Sequence, residues 1–105
     1  MNNEQISFEI ISKAGDAFSK LMEALKLQRL GKSEEVEQCI SESEKLINEA
    51  HNIQTELIVN ESRGEKNEFS VLLIHAQDTL MNSILLMTVT KEMVEMYNML
   101  KVEER

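Results

Sequence analysis

The chain has 105 residues, which is enough for one domain built around one hydrophobic core. Hydrophobic residues make up 42% of it and charged residues 29%, and the formal net charge is -8. This charge argues against nucleic acids and anionic membranes as partners, since both need basic surfaces, and it suits a basic protein surface. We therefore treat residues 1–105 as a single domain.

The composition predicts long helices, because the chain has no proline and only 4% aromatic residues. The first predicted helix covers residues 4–30 and ends where cationic Lys26 and Arg29 precede Gly31. Gly15 inside it costs about 1 kcal/mol relative to alanine, which a close approach of another helix would explain. One apolar stripe runs along this helix, formed by Ile6, Ile10, Ala14, Ala17, Phe18, Leu21 and Leu25.

The second predicted helix covers residues 33–62, with Ser33 as its N-cap and Gly64 just beyond its end. We interpret Cys39 as a small buried hydrophobe and His51 as a residue with a local polar role. Links this short force neighbouring helices to be antiparallel. A single apolar stripe is again present, formed by Val36, Ile40, Ser43, Ile47, Ala50, Ile53 and Leu57.

The third predicted helix covers residues 68–101, with Asn67 and Glu68 at its start, and it has two apolar stripes. The inner stripe consists of Phe69, Leu72, Leu73, Ala76, Leu80, Ile84 and Met87. The stripe on the opposite side consists of Val71, Ile74, Met81, Leu85 and Val89. Two partner helices can cover only one of these sides. We therefore predict an all-α, antiparallel three-helix bundle that assembles as an oligomer with the third helix at its centre.

Asp78 lies in the middle of the second stripe, between Ile74, Met81 and Leu85. A buried carboxylate without a partner is costly. In a closed ring, copies of Asp78 would meet near the axis and would need protons or a shared cation, for which a hard divalent ion such as Mg²⁺ is suited. The alternative is that Asp78 lies at the edge of the stripe and is solvated.

His75 lies beside the second stripe, in a sector shared with Thr79 and Asn82, so we expect it at the rim of the interface. A histidine that another protein can reach is a good phosphoryl acceptor, because neutral imidazole is a nucleophile. Asp78 or another carboxylate could orient its ring. The alternative is a partly buried packing histidine with a local hydrogen bond.

Other kinds of site are not indicated by the sequence. One cysteine and two histidines do not supply a zinc site, and no phosphate-binding glycine loop or nucleophile elbow is present. A single cysteine suits a reducing compartment, and we see neither a signal peptide nor an uninterrupted apolar run of about 18 residues. We therefore predict a cytoplasmic protein.

The stretch VLLIHAQDTLM at residues 71–81 resembles the signature of one bacterial protein family. This family is the enzyme IIA component of the lactose/cellobiose (N,N'-diacetylchitobiose) class of the phosphoenolpyruvate-dependent sugar phosphotransferase system. AHNIQTELI at residues 50–58 resembles a second family stretch, and AGDA at 14–17 with MEAL at 22–25 resembles a third. The likeness covers nearly the whole chain, in order.

The resemblance implies an antiparallel three-helix subunit assembled as a homotrimer. His75 corresponds to the phosphorylated histidine, which accepts a phosphoryl group from HPr and passes it to a cysteine of enzyme IIB. The sugar, a β-linked disaccharide of the lactose, cellobiose or diacetylchitobiose type, is phosphorylated as it enters through the membrane component IIC. Asp78 corresponds to the family's metal-binding aspartate, one per subunit on the trimer axis, which implies Mg²⁺ or another divalent cation in a structural role.

Two positions depart from the family pattern: Thr79 and Lys13 stand where the family often has histidines. His75 lies about two turns inside the third helix, beyond the first-turn reach of the helix dipole. Donors to a phosphate on it must therefore come from elsewhere, and we consider Gln54 and Thr55.

Two alternative functions are weighed against this interpretation. A purely structural helical adaptor would need neither His75 nor Asp78. The histidine phosphotransfer domain of two-component signalling is also helical, but it typically has a Lys-Gly pair shortly after its histidine. Here Gln77, Asp78 and Thr79 follow, which argues against that domain.

Overall fold

The computed structural model describes residues 2–66 and 69–103, and within these ranges the secondary structure consists of three α-helices. Helix α1 spans Asn3–Arg29, α2 spans Ser33–Ser62 and α3 spans Val71–Glu103. The bundle is a rod of 59 × 20 × 19 Å. The predicted all-α class is confirmed, and each predicted helix end lies within three residues of the observed one.

The start of α1 is fixed by a capping box formed by Asn2 and Gln5. The side chain of Asn2 accepts a hydrogen bond from the Gln5 backbone N–H at 2.8 Å, and the side chain of Gln5 accepts one from the Asn2 N–H at 3.0 Å. The end of α1 is as predicted, because Gly31 has a φ of 75° and Lys32 N–H donates to the Leu27 carbonyl at 3.1 Å.

The start of α2 differs from the prediction by one residue. Ser33 is the first helical residue, and the N-cap is Lys32, whose side chain makes no capping hydrogen bond. The reason is that the Lys32 carbonyl already accepts the first helical hydrogen bond, from Val36 N–H at 3.0 Å. At the other end the prediction is confirmed, since Gly64 has a φ of 93°.

The start of α3 also differs, and the predicted opening residues Asn67 and Glu68 lie outside the described ranges. The cap is Ser70, whose Oγ accepts a hydrogen bond from Leu73 N–H at 3.0 Å. Phe69 therefore precedes the helix and is 91% exposed, so its assignment to the inner stripe was wrong.

Ion pairs fix α1 against α2 in an antiparallel arrangement. Lys13 Nζ lies 2.8 Å from Glu49 Oε2, and Lys20 Nζ lies 2.7 Å from Glu42 Oε2. Moving along α1 therefore means moving backwards along α2, as the short link predicted.

Two hydrogen bonds fix α1 parallel to α3. Ser83 Oγ donates to the Ala14 carbonyl at 2.9 Å, and Gln28 Nε2 donates to Asn98 Oδ1 at 3.0 Å. These partners are 69 and 70 residues apart, so the two helices keep nearly constant register along the rod. Any residue of α1 thus lies at the height of the α3 residue about 70 positions later.

The core follows the inner stripes of the three helices. Its main cluster consists of Ile10, Ala14, Ala17, Leu21, Ile47, Ala50, Leu57, Leu73, Ala76, Leu80 and Met87. A second cluster near the α1–α2 turn consists of Ala24, Leu27, Val36, Ile40 and Val94. The predicted stripes on α2 and α3 are confirmed in their central parts.

The prediction of a single stripe on α1 was wrong. Phe18, assigned to the core, is 41% exposed, and Phe8 and Met22 on the same side are also exposed. The expected close helix approach at Gly15 is not seen either, because a Cβ placed there would meet no atom within 4 Å among the described residues. Helix α1 therefore has a second, uncovered apolar side.

Candidate functional site: His75 and the outer face of α3

The second stripe of α3 lies on the surface of the subunit. Its residues are between 42% and 84% exposed, and they are Val71, Ile74, Met81, Leu85 and Val89. A continuous apolar face of this kind on the surface of a subunit marks an interaction surface. The predicted two-sided character of the third helix is thus confirmed, whereas a trimer is not observed in a single subunit.

Asp78 lies exposed within this stripe. Among the described residues no hydrogen bond or ion pair reaches its carboxylate, and no group of three or more His, Cys, Asp or Glu side chains could hold a metal ion. One subunit therefore offers a single carboxylate. A metal site at this position would need carboxylates from several copies, since hard divalent ions take many oxygen ligands.

His75 is exposed on α3, one turn before Asp78 and Thr79. No hydrogen bond joins its ring to another described residue, so neither Asp78 nor another described carboxylate orients it in the isolated subunit. The alternative of a partly buried packing histidine is wrong, because the side chain is exposed. The Thr79 hydroxyl donates to the His75 backbone carbonyl at 2.8 Å. Thr79 is thereby turned towards the helix backbone and leaves the imidazole accessible.

Gln54, considered above as a donor to a phosphate on His75, lies at the contact between α2 and α3. It is buried, and its Nε2 donates to Gln77 Oε1, two residues beyond His75. It therefore fixes α2 to the HAQD stretch, and its side-chain hydrogen bonds among the described residues go to Gln77 and Met81 rather than to His75. Thr55, the other proposed donor, is exposed, and its hydroxyl donates to the His51 carbonyl at 2.9 Å.

Lys13 does not place a free positive charge beside His75. Its ammonium lies 2.8 Å from Glu49 and 3.5 Å from Glu9, and the hydrogen bond with Glu49 raises the pKa of Lys13. By the register of α1 and α3, Lys13 lies about 10 Å further along the rod than His75. Lysine at position 13, where the family often has histidine, therefore contributes to the contact between α1 and α2.

The first turn of α1 lies at the height of His75, because the register sets Gln5 and Ile6 level with it. The N-terminal turn of a helix carries unpaired N–H groups and the positive end of the dipole. Here the Gln5 N–H is already bonded to the Asn2 side chain and Glu4 places a carboxylate in the same turn, so α1 offers little net positive charge at the end of the molecule that holds His75.

Cys39 is half-buried, and burial raises the pKa of its thiol, which agrees with the predicted role of a small hydrophobe. No contact joins it to His75 or Asp78 among the described residues.

Helix α3 also satisfies the length and hydropathy of a membrane span, over Val71–Lys101 with a mean hydropathy of 1.2. The segment is not an uninterrupted apolar run, since His75, Gln77 and Asp78 fall inside it. A helix that packs on two sides of a soluble assembly meets the same criterion. In a lipid bilayer, the polar side chains of this segment would face the hydrocarbon core at a considerable cost in free energy.

The chain matches the family model "PTS system, Lactose/Cellobiose specific IIA subunit" over residues 5–98. It is 41% identical over 100 residues to the lactose-specific EIIA component of Streptococcus mutans, covering 92% of this chain and 96% of that protein. It is 40% identical over 94 residues to the lichenan-specific phosphotransferase enzyme IIA component of Bacillus subtilis, covering 90% and 86%.

Solved structures agree with this relationship. The cellobiose-specific enzyme IIA of Bacillus anthracis superposes with a TM-score of 0.92 at 46% identity, covering 97% of this chain and 94% of that one. The IIA(Chitobiose) of the Escherichia coli N,N'-diacetylchitobiose branch, solved in complex with HPr, superposes with a TM-score of 0.82 at 31% identity, covering 96% and 98%.

The chain therefore belongs to the lactose/cellobiose-specific IIA family of the sugar phosphotransferase system. It is a phosphotransferase component that carries phosphoryl groups. This membership argues against both the structural adaptor and the two-component phosphotransfer domain.

Proposed function

We propose that this protein carries its phosphoryl group on His75, accepting it from HPr and passing it to a cysteine of enzyme IIB. The observation that carries the proposal is an exposed imidazole, free of hydrogen bonds to other described residues, within the family's HAQD stretch on α3. A histidine in this state is reachable by two protein partners in turn.

The chemistry is a pair of phosphoryl transfers. In the first, the lone pair of an imidazole nitrogen of His75 forms a bond to phosphorus while the bond from phosphorus to HPr breaks, and the bonding electrons return to HPr. In the second, the thiolate of IIB attacks the same phosphorus and the electron pair of the N–P bond returns to the imidazole. Such transfers depend mainly on positioning and on stabilising the charge of the phosphoryl oxygens.

Positioning is supplied by the surroundings of His75 on α3. The buried Gln54–Gln77 contact holds the turn that follows the histidine, and Thr79 is bonded to the backbone. A carrier with a net charge of -8 also associates rapidly with a basic face of HPr.

The proposed phosphoryl donor and the proposed sugar are supported by the names of relatives. The E. coli relative was solved bound to HPr, which supports HPr as the donor for this chain. Relatives carry names that specify lactose, cellobiose and chitobiose, which supports a β-linked disaccharide as the transported sugar. The proposed location is the cytoplasm, where HPr and IIB act.

The proposed assembly is a homotrimer in which the outer stripes of three α3 helices meet. Three Asp78 carboxylates would then lie together near the axis, and their repulsion calls for a divalent cation such as Mg²⁺. One unpaired carboxylate per chain, surrounded by apolar side chains, fits this arrangement. The ion would neutralise charge and hold the subunits together, and it would take no part in phosphoryl transfer.

The test of the proposed site is intact-mass spectrometry after incubation with phosphoenolpyruvate, enzyme I and HPr, kept at neutral or alkaline pH. We expect one acid-labile phosphate on the native chain, none on His75→Gln, and one on His51→Gln, which removes the other histidine. Phosphate on His75→Gln but not on His51→Gln would move the site to α2.

A further inference from the structure

Each of the two histidines of this chain is followed by a threonine four positions later along the same helix. The pairs are His51 with Thr55 on α2 and His75 with Thr79 on α3. In both pairs the threonine hydroxyl donates to the backbone carbonyl of its histidine, at 2.9 Å from Thr55 and at 2.8 Å from Thr79. The same local geometry is therefore built twice, once at the proposed phosphoryl acceptor and once away from it.

The bond to the backbone decides what the Thr79 hydroxyl can still do. A hydroxyl has one hydrogen to donate and two lone pairs with which to accept. The hydrogen of the Thr79 hydroxyl is used on the His75 carbonyl, and no side chain or N–H group among the described residues donates to its oxygen. The oxygen of Thr79 is therefore available as an acceptor.

The Thr79 oxygen lies on the same side of α3 as the imidazole of His75. Side chains of an α-helix lean towards its N-terminus, so the side chain of Thr79 covers the turn that contains His75. The Cβ atoms of residues four apart are about 5–6 Å from one another. Nδ1 is the ring nitrogen nearer to Cβ, and the exposed ring is free to turn it towards the Thr79 oxygen, because no hydrogen bond to a described residue holds the ring elsewhere.

We infer that the Thr79 hydroxyl accepts a hydrogen bond from Nδ1–H of the neutral His75 ring and thereby fixes its tautomer. Thr79 is then a positioning residue, and the inference rests on the proposed function of His75. Which ring nitrogen of a histidine carries the proton is set by the hydrogen bond that the protonated nitrogen makes. With the proton held on Nδ1, the free lone pair belongs to Nε2, the nitrogen farther from the helix backbone.

A proton held on Nδ1 lets both transfers proceed without a base. Nε2 of His75 attacks phosphorus, the bond from phosphorus to HPr breaks with its electron pair returning to HPr, and Nδ1 keeps its proton. The phosphorylated ring then carries a positive charge, and the hydrogen bond from Nδ1–H to the Thr79 oxygen becomes charge-assisted and stronger. When the thiolate of IIB attacks phosphorus, the electron pair of the N–P bond returns to Nε2 and leaves the ring neutral with the same proton.

Asp78 is a second side-chain acceptor one turn from His75. Around the helix, position 79 is about 40° from position 75, whereas position 78 is about 60° away on the other side. Asp78 lies within the exposed apolar stripe, and in the proposed trimer its carboxylate is directed to the axis. Thr79 is therefore the acceptor that remains beside the ring.

The first test observes the tautomer, by ¹H–¹⁵N correlation spectra of the imidazole nitrogens at alkaline pH. Thr79→Val keeps the branched shape and removes the hydroxyl, and Thr79→Ser keeps the hydroxyl. We expect the His75 proton on Nδ1 in the native chain and in Thr79→Ser, and a shift of population towards Nε2–H in Thr79→Val. Because the pair on α2 has the same geometry, Thr55→Val should shift the proton of His51 and leave that of His75 in place. An unchanged His75 tautomer in Thr79→Val would overturn the inference.

The second test measures phosphoryl transfer from phosphorylated HPr by rapid quench and intact mass. We expect Thr79→Val to lower kcat about tenfold, as loss of one hydrogen bond does, with KM unchanged, and Thr79→Ser to restore most of the rate. Thr88→Val is the matched control, because the exposed Thr88 also donates to the carbonyl four residues earlier, that of Ile84 at 3.3 Å, where no histidine stands. Equal slowing in Thr79→Val and Thr88→Val would assign the effect to the helix and overturn the inference.

The outcomes separate this inference from the proposed function. A native chain that takes no phosphate on His75 would remove both. A native chain phosphorylated on His75, whose tautomer and rate are the same in Thr79→Val, would keep the proposed function and remove the role of Thr79. A His75 tautomer that changes in Asp78→Leu but not in Thr79→Val would assign the ring orientation to Asp78 and would also overturn the inference.

Discussion

Gln54 on α2 donates a side-chain hydrogen bond to Gln77 on α3, two residues beyond His75. Gln54 is 7% exposed, whereas His75 is open to solvent. The proposed acceptor is thus exposed itself but lies next to a buried polar contact that joins two helices. A phosphoryl carrier benefits from this combination, because its histidine must be reachable and must also keep a fixed position.

Replacing Gln54 with leucine should loosen this contact. The Gln77 side chain would lose its donor in a partly buried place, and we expect the free energy of unfolding to fall by about 1–2 kcal/mol. Phosphoryl transfer from HPr should become slower, while the site of phosphorylation stays the same. Chemical denaturation and a time course by intact mass measure the two effects. Ser41→Leu, at an exposed position of the same helix whose side chain makes no hydrogen bond to another described residue, serves as the control and should change neither.

Replacing Asp78 with leucine should stabilise the proposed trimer. It removes three like charges from the axis and extends the apolar stripe of α3. We expect a trimer that no longer responds to a chelator, with a melting temperature raised by several degrees. Calorimetry with and without EDTA checks this. A lower melting temperature together with loss of assembly would contradict a position of Asp78 on the axis.

The Lys13–Glu49 pair should make the α1–α2 contact depend on pH. The hydrogen bond from Lys13 lowers the pKa of Glu49 below its usual 4.5, so the stabilisation is present above pH 4.5 and is lost as the pH falls through the lowered value. The same bond raises the pKa of Lys13 above 10.5, so the stabilisation is lost again as the pH rises through that value.

A double-mutant cycle with Lys13→Met and Glu49→Gln measures this dependence. We expect the coupling free energy to be constant between about pH 5.5 and 9.5 and to fade on the acid side. The cycle for Lys91 and Glu44, which are 3.4 Å apart and more exposed, should give a smaller coupling. Coupling that persists at pH 2 would show that the contact is not electrostatic.

The sequence predicted the helices and the exposed stripe of α3 well, because both depend on local spacing. Ile74, Met81 and Leu85 recur on one side of a helix whatever surrounds it, so their shared surface follows from the period alone. The helix ends beside Gly31 and Gly64 were also predictable, since the left-handed conformation found at both is readily adopted by glycine.

The contacts between helices were less predictable. Nothing in the spacing of α1 distinguishes Phe18 from Leu21, and only the positions of α2 and α3 decide that one faces outwards and the other inwards. The partner of Gln54 depends on the same tertiary arrangement. The capping box of Asn2 and Gln5, by contrast, was readable from the sequence, because an asparagine three residues before a glutamine is a known helix start.

Thr90 and Ser83 form a natural pair for testing buried hydroxyls, because both lie on α3 and both are fully buried. Ser83 donates to the Ala14 carbonyl at 2.9 Å, whereas the Thr90 hydroxyl has no hydrogen-bond partner among the described residues. A buried hydroxyl without a partner is costly, and valine has almost the same shape as threonine. We therefore expect Thr90→Val to raise the free energy of unfolding by about 1 kcal/mol.

Ser83→Ala should do the opposite and lower the free energy of unfolding by about 1–2 kcal/mol, because it leaves the Ala14 carbonyl without its donor from α3. Urea denaturation of both variants at one pH measures the two changes on the same scale. A destabilised Thr90→Val would mean that the hydroxyl has a partner in solution, such as a bound water between α1 and α3. If the two substitutions change the free energy of unfolding in opposite directions, the hydrogen-bond partner of each hydroxyl, rather than its burial, decides how much it contributes to stability.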